Sequence, residues 1–117
     1  MSDSGAGTCA GSGESSLRLE SWQEEDGPLT EKRLMGLLER EGYEVAVYAY
    51  REGTTFEEHV HPFDKCDAVL EGFFQVRVGE VVFEMKAGDR LYIPAGTPHS
   101  AEVVGRKTVI SLDATRF

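Results

Sequence analysis

Short strand-like runs, rich in β-branched and aromatic residues and separated by glycine-bearing turns, fill most of the chain after Gly42. The runs are YEVAVYAY, CDAVLEG, FFQVRVGE, VVFEMKAGD, RLYIPAG and KTVISLDA. Because no helical spacing of apolar residues separates them, they favour an antiparallel sandwich or barrel over a parallel sheet. The Gly79-Glu80 pair between QVRV and VVFEM predicts a hairpin.

The residues before these runs predict a short helical segment, residues 17–42. Thr30 is a suitable N-cap, Glu31 stands in the first turn and Gly42 is placed to end the helix. The face that should pack on a larger element consists of three leucines, Leu34, Leu37 and Leu38.

Residues 1–16 consist mainly of glycine, serine and alanine, and this composition predicts a disordered tail. A chain of 117 residues is long enough for one hydrophobic core and too short for two. We therefore divide it into a tail at 1–16, a helical segment at 17–42 and one all-β barrel domain at 43–117.

Composition narrows the functional classes. The chain has 12 basic and 21 acidic residues, a net charge of −9, which disfavours nucleic acid as a partner. Its two cysteines, Cys9 and Cys66, form no disulfide framework. The N-terminus has no signal-peptide pattern and no apolar run approaches membrane length, so we expect a cytoplasmic protein with no membrane partner.

The chain contains only three histidines, and two of them, His59 and His61, stand two residues apart. In a strand such residues project from the same face, as two metal ligands on one barrel wall must. An H-x-H pair alone is also common among exposed or hydrogen-bonded histidines, so a second signal is needed.

The second signal is the block GDRLYIPAGTPHS, which contains Gly88, Pro94, Gly96 and His99. This block resembles the second motif of the cupin superfamily, G-x5-P-x-G-x2-H. Its turn, PAGTP, is expected to direct His99 back into the barrel toward the H-x-H pair.

The first block resembles the first cupin motif, G-x5-H-x-H-x(3,4)-E-x6-G, through Gly53, His59, His61 and Gly72. The resemblance covers about Tyr43 to Ala114 and is that of a small single-domain cupin. It implies a double-stranded β-helix, or jelly-roll, barrel. It also implies a divalent transition metal (Fe, Mn, Ni, Cu or Zn) held by His59, His61 and His99, and a homodimer for which YEVAVYAY is the candidate interface strand.

The chain departs from the motif at the carboxylate, because the position seven residues before Gly72 is Lys65. A charged ammonium group cannot ligate a dication and repels it at short range. Three interpretations follow: a three-histidine site completed by water, similar to thiol dioxygenases; a fourth ligand from Cys66, Asp64 or Asp67; or loss of the metal. We favour the first.

Lys65 itself has two interpretations. It is either a solvent-facing partner of Asp64 or Asp67, or a catalytic group that anchors a substrate carboxylate or acts as a general acid at the barrel mouth.

The function predicted from the sequence is that of a small metal-binding cupin that acts on or binds a small molecule. Dioxygenase is the leading reaction that the resemblance implies, and a metal held by three neutral imidazoles would keep its full double charge for an anionic substrate and O₂. The alternative is a non-catalytic cupin, either a sensor or a small-ligand-binding module, with or without a metal.

Overall fold

The computed structural model describes residues 16–117, which form two packed antiparallel sheets and one helix. The predicted disordered tail at residues 1–16 lies outside the described residues, apart from Ser16. Within the described part, nine strands follow in chain order: β1 Arg18–Ser21, β2 Glu44–Tyr50, β3 Thr55–His59, β4 Asp64–Glu71, β5 Phe73–Val78, β6 Val81–Met85, β7 Asp89–Ile93, β8 His99–Val104 and β9 Val109–Arg116. A 3-10 turn, Glu24–Asp26, and the helix α1, Glu31–Arg40, lie between β1 and β2.

The strands form a five-stranded sheet A and a four-stranded sheet B. Sheet A has the order β1-β7-β4-β9-β2, and sheet B has the order β3-β8-β5-β6. Every pairing is antiparallel, and strands distant in sequence lie side by side. The predicted all-β jelly-roll with a short N-terminal helix is confirmed.

The six predicted runs correspond to β2, β4, β5, β6, β7 and β9. The predicted hairpin joins β5 and β6, where Val78 pairs with Val81 around Gly79, which has a φ of 61°. The runs do not include β1, β3 or β8, because these strands carry polar residues on their exposed faces and lack a strong apolar alternation.

Helix α1 begins and ends as its sequence predicts. The backbone N–H of Arg33 donates to the Thr30 hydroxyl oxygen at 3.1 Å, which satisfies one free donor of the first turn. At the other end Gly42 has a φ of 93°, and the N–H of Tyr43 donates to the Leu38 carbonyl at 3.1 Å. This is the Schellman arrangement, in which glycine supplies the left-handed residue that reverses the chain.

The apolar face of α1 covers the outer face of sheet A. Leu34 and Leu38 are 0% exposed, and the partly buried Leu37 packs against the same cluster. The residues beneath them are Tyr43, which precedes β2, and the sheet residues Cys66, Ala68, Tyr92, Leu112 and Ala114. A second cluster fills the space between the sheets and consists of Val69, Phe74, Val76, Met85, Leu91, Ile93, Val103 and Val109.

Residues 17–42 hold more than the predicted helix, because β1 pairs with β7 and extends sheet A. Gly88, the residue before β7, has no side chain and so allows Trp22 of this segment to pack closely against it. Its φ is 94°, and a Cβ placed there would lie 2.8 Å from the Cβ of Trp22. The Trp22 N–H donates to the Gly88 carbonyl at 2.9 Å, so this motif glycine has a packing role as well as a turn role.

Candidate metal site

Three histidines, one from β3, one from the segment directly after it and one from β8, converge at one end of the barrel. His59 ends β3, His61 follows two residues later, and His99 begins β8 directly opposite His59. The ring centroids lie 4.3 Å (His59–His99), 4.9 Å (His59–His61) and 5.6 Å (His61–His99) apart. One ligand atom from each ring lies within 4.8 Å of the other two, a spacing that one metal ion can bridge.

Backbone hydrogen bonds hold the two motif blocks together. The N–H of Gly96 donates to the His61 carbonyl at 2.8 Å, and the N–H of Ala95 donates to the Asp64 carboxylate at 2.9 Å. The PAGTP turn is therefore tied to the segment that carries His61. The prediction that this turn directs His99 toward the H-x-H pair is confirmed by the ring positions.

Two of the imidazoles have their tautomers fixed by carbonyl groups. His59 Nδ1 lies 2.7 Å from the Glu57 carbonyl, and His99 Nδ1 lies 2.8 Å from the Thr97 carbonyl. Because a carbonyl oxygen only accepts, each Nδ1 must carry the proton in these hydrogen bonds. The Nε2 lone pair of each ring is then free to ligate, which is the arrangement typical of metal-binding histidines.

Burial favours the neutral form of two of the rings. It is the main cause that lowers the pKa of His61, with the positive charge of Lys65 next in importance. Burial is also the main cause that lowers the pKa of His99, although the hydrogen bond to Thr97 partly opposes it. The neutral imidazole is the form that binds a metal, so this environment fits the proposed ligand set.

The histidines line a cavity of about 70 Å³, which we call the inner cavity. Its two walls differ in chemistry. Sheet B supplies the histidines together with Phe56, Phe74 and Ala101, whereas sheet A supplies Tyr50, Lys65, Asp67, Ser111 and Asp113. A metal at the histidines would thus face a charged wall across a narrow space.

Lys65 is part of that charged wall. Its side chain is 12% exposed, and Nζ donates to the Thr115 hydroxyl at 2.7 Å and forms an ion pair with Asp113. The simpler of its two interpretations expected Lys65 to face solvent beside Asp64 or Asp67. The structure differs from that expectation. The partner of Lys65 is a residue of β9, and the charge of the lysine lies inside the site.

The candidate fourth ligands fall on different faces of β4. Cys66 is 0% exposed in the cluster under α1, where burial raises the pKa of its thiol well above the usual value. Asp64 has the same strand parity, pairs with Arg116 at 3.0 Å and holds the Ala95 N–H. Both therefore face away from the inner cavity, and of the three only Asp67 shares it with the histidines.

Asp113 is the site residue that the sequence analysis missed. It lies directly opposite Asp67 in the β4–β9 pairing, so two carboxyl groups face the inner cavity side by side. Burial first, and then the charge of Asp113, raise the pKa of Asp67 to about 7. Neither motif contains Asp113, and its only sequence signal is an acidic residue within an otherwise strand-like run.

Comparison with known proteins places this geometry in a family. Residues 46–115 match a family profile described as a cupin domain. The fold is similar to that of an uncharacterized conserved protein with a double-stranded beta-helix domain from Klebsiella pneumoniae, at 25% identity and a TM-score of 0.56 over 64% of this chain and 67% of that one. A cupin-2 domain containing protein from Shewanella frigidimarina is similar at 19% identity and a TM-score of 0.56, over 65% of this chain and 72% of that one.

A third similar structure is Bacillus subtilis oxalate decarboxylase, a protein with Mn(II) centres. It matches at 22% identity and a TM-score of 0.58, over 64% of this chain but only 22% of that one. No curated protein matches the chain. The family profile nevertheless spans more than half of the chain and includes all three histidines, both motif blocks and most of the strands. The chain therefore belongs to the cupin family.

Proposed function

We propose that His59, His61 and His99 bind one divalent transition metal ion and that the metal-loaded barrel binds or acts on a small molecule. The observation that carries this proposal is the convergence of three ligand atoms within 4.8 Å. The carbonyl partners of His59 and His99 support it, because they leave Nε2 of both rings available. The lowered pKa of His61 and of His99 supports it further, since protons compete less for these rings.

Imidazole ligands suit Fe, Ni, Cu and Zn, and Mn completes the set of metals that the cupin resemblance implies. Bound iron would supply oxygen activation, and bound zinc would supply a Lewis acid. Dioxygenase chemistry is our leading reaction, because three protein ligands leave positions on the metal for a substrate and oxygen. The Mn(II) centres of the structurally similar oxalate decarboxylase make manganese one of the metals to test.

Lys65 is the residue to which we assign a direct role toward the small molecule. Its ammonium group lines the inner cavity with the histidines and is held in place by Thr115 and Asp113. A fixed cation in that position can anchor a ligand carboxylate or donate a proton to it.

A second candidate function is a metal-free ligand-binding module or sensor. Lys65 is also the observation that favours it, since this lysine stands where the family motif has a carboxylate and brings a positive charge toward the histidines.

The location of the protein and its association remain sequence predictions. Within residues 16–117, neither the length nor the apolar character of any helix is sufficient for a bilayer crossing. A homodimer is favoured by β2, which is an edge strand of sheet A and exposes Val47. We retain the cytoplasmic location and the homodimer as parts of the proposal.

Elemental analysis of the untagged protein, purified without chelator, tests the metal site. We expect about one transition metal ion per chain in the parent protein and loss of that metal in His61→Ala. Glu58→Gln is the control, because Glu58 is an exposed residue of β3, the strand that ends at His59. Protein that remains metal-free after incubation with each of the five ions would contradict the proposal and leave the metal-free module as the function.

A further inference from the structure

A second cavity lies next to the inner cavity, beside β2, an edge strand of sheet A. This outer pocket has a volume of about 240 Å³ and is lined by Ala46 and Tyr48 of β2 and by Phe117. Lys65 and Asp113 line both cavities. The ion pair of these two residues is therefore the boundary between the histidine site and the outer pocket.

The register of sheet A explains why the two cavities lie side by side. Ala46 lies opposite Asp113, and Tyr48 lies opposite Ser111, so these β2 side chains project from the same face as the charged wall. Tyr50, the next residue of that face, lines the inner cavity, and its ring stacks on Tyr48 with centroids 6.0 Å apart. The two tyrosines thus run from one cavity to the other.

A second aromatic row connects the same two places. The ring of His61 stacks on Phe63 at 5.7 Å, and Phe63 contacts Phe117 at 5.0 Å. Tyr48 is 48% exposed and Phe117 is 81% exposed, so both rings have uncovered area toward the outer pocket. A ligand lying there would gain apolar contact that the inner cavity alone does not offer.

Volume indicates that a ligand must use both cavities. Small-molecule sites commonly measure about 300 to 1,000 Å³. The inner cavity, at about 70 Å³, is far below that range and admits only a small head group. With the outer pocket of about 240 Å³, the space reaches the lower end of the range.

Charge restricts the head group. A dication at the histidines and Lys65 together carry three positive charges, against two from Asp67 and Asp113 if both are ionised. The Lys65 ammonium has three N–H donors, of which one goes to the Thr115 hydroxyl, and its charge is paired with that of Asp113. One positive charge and at least one Lys65 donor are left for an anionic head, while Glu44, which also lines the outer pocket, disfavours a second negative charge.

We propose that the outer pocket holds the tail of the ligand whose head reaches the histidines, and that this ligand is a small monoanion with an aromatic tail. The tail lies against Tyr48 and Phe117, and the anionic head passes Lys65 into the inner cavity. This inference rests on the proposed function, because the head is placed by the metal site.

Two matched carboxylates test the inference on the zinc-loaded full chain, with zinc stoichiometry measured first. We expect 3-phenylpropionate to bind at least about tenfold more tightly than propionate in calorimetric titrations, and succinate to bind no more tightly than propionate. Tyr48→Ala should remove the advantage of the aromatic tail and leave propionate binding unchanged, whereas Tyr48→Phe should retain it. Phe73→Ala is the control, since Phe73 is an exposed aromatic residue of sheet B outside both cavities.

The outcomes separate the two proposals. Equal affinity for the two carboxylates, or an aromatic advantage that survives Tyr48→Ala, would overturn the outer pocket while the metal site stands. A chain that binds no zinc or other divalent ion would overturn the proposed function and, with it, this inference.

Discussion

Lys65 and Asp113 form an ion pair across two neighbouring strands of sheet A, inside the wall that faces the three histidines. The lysine occupies the motif position of a metal-binding carboxylate, while the carboxylate that balances it comes from β9. The site therefore contains a carboxylate close to the histidines, but this carboxylate is engaged by an ammonium group. This pairing distinguishes the chain from the cupin motif that it otherwise follows.

Replacing Lys65 should change metal affinity in a way that reports its position. Lys65→Glu exchanges a repelling cation for a ligand, and we expect the dissociation constant for Zn²⁺ or Mn²⁺ to fall at least about tenfold. Lys65→Met removes the repulsion without adding a ligand and should give a smaller decrease. Competition with a chromogenic chelator measures all three proteins.

Lys107→Glu is the matched control, because it makes the same charge change at an exposed loop position. Equal affinities for the parent protein and Lys65→Glu would show that residue 65 does not occupy the carboxylate position.

The lysine should also affect the titration of two histidines. Burial lowers the pKa of His61 and of His99, and Lys65 lowers both further. In the metal-free protein we therefore expect both pKa values to lie below the ordinary value of about 6.5 and to rise in Lys65→Met. Because burial is the larger cause, they should remain below 6.5 in the variant. NMR titration of the imidazole Cε1 protons gives both values, and no rise in the variant would contradict the proximity of Lys65.

Asp67 should make stability depend on pH. Its pKa is raised to about 7 in the folded protein, against about 3.9 in an unfolded chain. Between these values the folded protein holds a proton that the unfolded chain has lost, so the free energy of unfolding falls as pH rises from about 4 to 7. Asp67→Asn removes this loss and should gain on the order of 4 kcal/mol at pH 8 relative to pH 4.

Urea denaturation of the chelated protein at both pH values measures this effect, with Glu71→Gln as the exposed control on the same strand. A pH dependence unchanged by Asp67→Asn would mean that the carboxyl group is ionised in the folded protein at neutral pH.

The helix should contribute to stability without contributing to the metal site. Leu38 is 0% exposed between α1 and the outer face of sheet A, so Leu38→Ala should lower the free energy of unfolding by about 2–5 kcal/mol. Leu37→Ala, at a partly buried position of the same helix, should cost less. Metal stoichiometry should be unchanged in both variants, because the histidines lie on the other side of the sheet. Loss of metal in a folded Leu37→Ala protein would contradict this separation.

Local sequence signals were sufficient for the fold class and for several of its details. Thr30 and Gly42 bound the helix because capping depends on the chemistry of single residues. Gly72 adopts a φ of 89° with the Thr108 carbonyl 2.9 Å from where a Cβ would lie, so its place in the motif follows from a local steric need. The three histidines were also identified from a local signal, because the second motif includes the turn that brings His99 to His59.

The sequence by itself thus determined the barrel, the helix and the histidine set, because motif spacing, turns and strand patterns act over short distances along the chain. Tertiary structure alone decided which charged side chains share the inner cavity with the histidines. The partner of Lys65 is Asp113 rather than Asp64 or Asp67, because the β4–β9 register places Asp113 beside it on the inner face. Cys66, adjacent to Lys65 in sequence, lies on the opposite face under α1, since successive residues of a strand point to opposite sides. Register between distant strands has no local signal, and for this reason the charged wall and the outer pocket became visible only in the folded chain.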